Sequence, residues 1–140
     1  MRSNAIGNNV DISWDSKQPL IDTKEDNRAT FVTIFPNGGV FSPENYRTLR
    51  DLLIGHINRS KENLKPVVID FSNVKSLGEE GAGLFQELSN YKGWFIITGH
   101  NTKYLSGAPF WEKRFNLAST EKELQFYVDV LTEEFKQSKH

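Results

Sequence analysis

Residues 78–81 read Gly-Glu-Glu-Gly and stand between the apolar run PVVIDF (66–71) and the segment LFQEL (84–88), where a strand hands over to a helix. Two adjacent carboxylates, Glu79 and Glu80, with Asp70 at the end of the strand, are the residue types used in general acid–base catalysis or magnesium binding. Both chemistries need carboxylates that converge in a cleft. Adjacent helix residues point about a quarter-turn apart and do not converge, and no further acid cluster accompanies Asp70. The turn chemistry of aspartate gives Asp70 a simpler role, accepting backbone hydrogen bonds in the turn at Ser72 and Asn73. A phosphate-cradling loop would end in Lys-Ser or Lys-Thr and a dinucleotide loop would read Gly-x-Gly-x-x-Gly; the stretch has neither. Its small residues read instead as room for the helix start to pack closely on a neighbouring strand.

The remaining candidates for chemistry are few. His56 and His100 stand alone, without a second ligand at metal-binding spacing, and His140 is at the chain end. There is no cysteine and no serine in a nucleophile elbow. The residues therefore predict no catalytic centre, no metal site and no cofactor. With 17 basic and 18 acidic residues among 140, the net charge of −1 provides no general field for nucleic acid or anionic lipid. A chain of this length can bury a core of its own, and the absence of cysteine fits a reducing compartment. The first residues lack the apolar stretch of a secretory signal and nothing later is long and apolar enough to span a bilayer, so the expectation is a cytoplasmic protein.

The elements that would position these residues follow from periodicity. Residues 1–29 read as a polar N-terminal extension, loose in part, whose patch VDISW alternates like an edge strand or a hairpin arm. The domain proper is read as 30–140. FVTIF (31–35) predicts a strand closed by the turn signal PNGG. Ser42 as N-cap and Pro43 at the first helical position open a helix of about four turns, with Tyr46, Leu49, Leu53 and Ile57 on one face. PVVIDF and WFIIT (94–98) are continuous apolar runs, as in strands covered on both faces. Between them Leu84, Phe85 and Leu88 have helical spacing. NTKYLSGAPFWEKRF (101–115) reads as a short helix and an aromatic loop, NLAS as a short strand. Thr120 and Glu123 stand at capping-box spacing before a final amphipathic helix. This order predicts an α/β domain: a mixed sheet with parallel core strands and an antiparallel N-terminal edge, flanked by about four helices.

PVVIDFSNVKSLGEEGAGLFQEL, with FIITGHNTKYLSGAPFWEKRFNLASTEKEL after it and FVTIFPNGGVFSPENYRTLRDLL before it, resembles the STAS domains of sulfate transporters and anti-sigma factor antagonists. The resemblance spans about residues 30–131. In the motif at its centre, Asp70, Ser72, Val74, the apolar Leu77 and Gly81 fall where the family has them. The family's Asp-Ser pair does not: Gly78 stands at the aspartate position and Glu79 at that of the serine, which in antagonists is phosphorylated by a partner kinase.

The resemblance implies a non-enzymatic protein-interaction module of bacterial signalling. Its partner would be an anti-sigma factor, that is, a serine kinase-like protein, meeting the stretch from Leu77 through Gly78, Glu79, Glu80 and Gly81 to Leu84. Asp70 and Ser72 would be structural. Glu79 has two readings that the residues leave open: a standing imitation of phosphoserine, or an ordinary first-turn acid favoured by the helix dipole. The family also implies an alternative, a regulatory subunit docking on a permease or a lipid-transport ATPase. A third reading is a ligand pocket lined by Trp94, Phe110 and Trp111.

Overall fold

The computed structural model describes residues 20–36, 39–76, 78–91, 94–100 and 115–138. Its frame is a five-stranded sheet of β1 (Ile21–Glu25), β2 (Thr30–Ile34), β3 (Val67–Asp70), β4 (Phe95–Thr98) and β5 (Asn116–Ala118), lying in that spatial order. β1 runs antiparallel to β2 and the other pairs are parallel. The helices are α1 (Pro43–Asn63), α2 (Gly78–Leu88) and α3 (Glu121–Ser138), with a 3-10 turn at Ser89–Tyr91. This is the mixed α/β sheet with an antiparallel N-terminal edge that the sequence predicts. Three α-helices lie among the described residues; the short helix expected within 101–115 lies outside them up to residue 114.

The continuous apolar runs have a direct physical cause. Side chains alternate faces along a strand, so a strand apolar at every position must be covered twice. Val67, Ile69, Phe95 and Ile97 point into one core with Leu49, Leu53 and Ile57 of α1 and Leu84, Phe85 and Leu88 of α2. Val68 and Ile96 point the other way, against Val128, Leu131 and Phe135 of α3. Each fully buried aliphatic or aromatic side chain contributes about 1.5–3 kcal/mol relative to exposure. The two cores together fix the sheet as the middle layer.

Caps set the helix ends. The Ser42 hydroxyl accepts from the Asn45 amide at 3.2 Å and the Asn45 side chain accepts from the Ser42 amide at 2.9 Å, a capping box with asparagine in the third position. α1 runs 21 residues, longer than the apolar spacing implies, and ends at Leu64 in the left-handed conformation. At α3 the Thr120 hydroxyl accepts from the Glu123 amide at 3.1 Å, while Glu123 reaches back to the amide of Ser119 at 2.8 Å. β1 lies within the segment that the sequence reading assigns to the N-terminal extension; the patch VDISW lies outside the described residues.

Candidate functional site

The site is built where β2 and β3 end and α1 and α2 begin. Asp70 closes β3 beside Thr98 of β4. One oxygen of its carboxylate, Oδ1, accepts from the Ser72 amide at 2.8 Å and from the Ser72 hydroxyl at 2.5 Å. The Phe71 amide donates to Thr98 O and the Val74 amide to Phe71 O, so the chain turns sharply as it leaves the sheet. Gly99, at φ +74°, lies against this turn. A Cβ there would sit 2.4 Å from Asp70 Oδ1 and 2.5 Å from the Ser72 nitrogen, so no other residue fits without moving backbone.

The turn is stitched to the neighbouring loop. The amides of Lys75 and Ser76 both donate to Gly39 O, at 2.7 and 3.3 Å, and Ser76 forms a parallel bridge with Val40. Gly39 itself is left-handed, at φ +80°. The starts of α1 and α2 are thereby held side by side at one end of the sheet. Gly78 opens α2 at φ +60°, a conformation glycine adopts at no steric cost.

The predicted site residues separate by burial. Gly78 and Glu79 are exposed and Glu80 is half-buried. Glu79 and Glu80 form no hydrogen bond or ion pair with the described residues, and their carboxylates lie in the first turn of α2, where exposed amides and the helix dipole favour negative charge. Gly81 is buried. Leu84, expected on the partner-facing surface, is fully buried instead. Residues 81, 84, 85 and 88 form the inward stripe of an 11-residue helix, so Leu84 supports the site from beneath and cannot touch a partner. Leu77 lies outside the described residues.

Gly83 corrects another expectation. It faces Tyr46 of α1, not a strand, and a Cβ there would meet the Tyr46 hydroxyl at an ordinary 3.8 Å. Two residues that sequence reading did not single out join the exposed surface: Val40, 43% accessible, and Lys75. Val40 meets Ser76 only because two loops distant in sequence share backbone hydrogen bonds.

Elsewhere the candidates stay apart. Burial lowers the affinity of His56 for its proton, with help from the Arg59 charge. Burial does the same at His100, opposed by Glu123. Among the described residues no three metal-capable side chains converge, and no helix is long and apolar enough to cross a membrane. Trp94 stacks on Phe135 at 4.8 Å, with the Lys61 ammonium 5.0 Å from its ring. Phe110, Trp111 and His140 lie outside the described residues.

No protein-family profile matches the chain, and no curated protein matches it in sequence. Its fold matches a crystal structure from Thermotoga maritima of a protein described, provisionally, as an anti-sigma factor antagonist. The TM-score is 0.55 at 15% identity, covering 78% of this chain and 94% of that one. At that identity the likeness establishes a shared fold: this chain has the mixed α/β architecture of the Thermotoga protein.

Proposed function

We propose that the chain is a non-enzymatic protein-interaction module of bacterial signalling that works as anti-sigma factor antagonists do, with Glu79 in the place of the phosphorylated serine. The observation that carries this reading is the exposed Glu79 carboxylate in the first turn of α2, without a partner among the described residues, close in the chain to a turn whose Lys75 and Ser76 amides are bonded to the neighbouring loop at Gly39. A charge so placed and left unpaired is open to a partner.

The imitation is incomplete. Phosphoserine carries about −1.5 to −2 charges and three acceptor oxygens, where glutamate offers one charge and two oxygens. Glutamate also has no hydroxyl, so a kinase cannot switch position 79. The module would then sit permanently in the state that phosphorylation gives its switchable counterparts. The partner-facing surface is Gly78, Glu79 and Glu80 with Val40 and Lys75 beside them, and Asp70 and Ser72 shape the turn behind it.

The test is affinity purification of the tagged full chain from its own cells, wild type beside Glu79→Ser, with bound proteins identified by mass spectrometry. The expected result is a serine kinase of the anti-sigma type, recovered in larger amount with Glu79→Ser. Recovery of a permease or transport ATPase, indifferent to the substitution, would overturn this reading in favour of a transporter subunit.

A further inference from the structure

At the opposite end of the sheet from Glu79, the last two turns of α1 and the β1–β2 hairpin enclose an open cleft of about 230 Å³. We propose that this cleft binds a small phosphorylated molecule, with Arg59 and Lys65 as charged anchors and His56 as an oriented hydrogen-bond donor. The inference does not depend on the role of Glu79.

The chemistry of the lining selects the ligand. Every described residue that lines the cleft is polar or charged, Thr23 and Thr30 on the sheet side and Asn63 on α1 included. An Arg59 Nη2 lies 3.0 Å from His56 Nδ1. Guanidinium can only donate, so Nδ1 accepts and the imidazole proton resides on Nε2, which leaves that nitrogen a donor. The fork of Arg59 retains further N–H groups suited to a tetrahedral oxyanion. The Lys65 ammonium donates to Glu25 Oε2 at 2.5 Å and to Asp26 O at 2.7 Å, and so keeps one of its three N–H groups. Glu25 is the one acid among the described lining residues, and Lys65 already neutralises it. The cleft therefore presents donors and net positive charge. Its one carboxylate is already paired, and its apolar surface comes from the aliphatic parts of polar residues, with no apolar side chain among the described lining residues. Ser60 is not part of the donor set, because its hydroxyl is committed to Lys65 O.

Size narrows the class. The volume is several times the share of a water molecule, about 30 Å³, and below the ~300–1,000 Å³ of pockets for drug-sized ligands. That suits a phosphate group with a small organic body.

The experiment is an amide NMR titration of the full chain with inorganic phosphate and, separately, with glycerol 3-phosphate. Saturable shifts confined to Thr23, Thr30 and residues 56–65 are expected. Arg59→Ala should weaken binding about tenfold or more, as loss of a charge-assisted contact does. Arg59→Gln, which keeps a polar side chain but removes the charge, should weaken it as well, and Lys122→Ala in the first turn of α3, at the far end of the sheet, should leave it unchanged. Tighter binding of glycerol 3-phosphate would assign the cleft to organic phosphates; equal binding would assign it to the free anion. Shifts that rise without saturation, or that persist unchanged in folded Arg59→Ala and Arg59→Gln, would overturn the proposal.

Discussion

The two ends of the sheet solve the same problem in opposite ways. At the end carrying Glu79, backbone atoms do most of the holding: Gly39 O takes two amides, Gly99 leaves room for the Asp70–Ser72 turn, and Gly78 turns the chain into α2. The Asp70, Ser42 and Asn45 side chains are spent within their own turns and caps, and Glu79 projects without a partner among the described residues. At the end carrying the cleft, side chains hold one another, Lys65 with Glu25 and Arg59 with His56. What is left over is space lined by donors. A backbone-built end presents a group to something large; a side-chain-built end leaves a recess for something small.

Four substitutions or conditions would break or sharpen this contrast, from the largest expected effect to the smallest. Leu84→Ala should cost about 2–5 kcal/mol in urea unfolding, the ordinary range for a buried leucine, because the residue belongs to the core and not to the exposed surface. A small loss of stability would return it to the surface. Gly99→Ala should cost about 2–4 kcal/mol, combining about 1–2 for a left-handed alanine with overlap against Asp70 and Ser72. Thermal unfolding within a degree of wild type would mean that the backbone-built end is not rigid. Gly55→Ala, in the interior of α1 with open space around its Cβ position, should stabilise by about 0.5–1 kcal/mol.

The fourth is pH. His56 and His100 both bind protons less readily in the folded chain than at their ordinary value of 6.5. The unfolded chain then holds more protons near and below that value, so stability rises with pH through the window and is lost as the solution is acidified below it. Urea midpoints at pH 7.5 and 5.5 should differ in that direction, and His56→Gln should reduce the difference. An equal or larger difference in His56→Gln would remove His56 from the account.

Much of the frame is legible in the sequence for reasons that residue types make plain. PVVIDF and WFIIT can be apolar throughout only if both faces are covered, and Ser42-Pro43 can hardly be anything but a helix start. The Asp70–Ser72 turn likewise follows from the short side chain of aspartate, and the capping pair Thr120–Glu123 from its spacing. β1 is not legible, because IDTKE is an edge strand with four of five residues exposed, held by pairing with β2 and carrying no apolar alternation. Only the final residues of α1, 61–63, escape, because Lys61, Glu62 and Asn63 add no apolar position to the stripe that ends at Ile57. Nearness to Glu79 in the chain does not expose Leu84, because the helical period puts the two on different faces. Gly99 and the cleft depend on contacts between distant segments, which no local pattern encodes.

The central claim is that Glu79 acts as a fixed imitation of phosphoserine. Its most direct test is calorimetric binding of the kinase recovered with the protein to three forms of the full chain: wild type, Glu79→Ser, and Glu79→Ser phosphorylated by that kinase. Wild type should match the phosphorylated form, both about tenfold weaker than unphosphorylated Glu79→Ser. Wild type binding as tightly as the unphosphorylated serine form would contradict the claim and leave Glu79 an ordinary helix-starting residue.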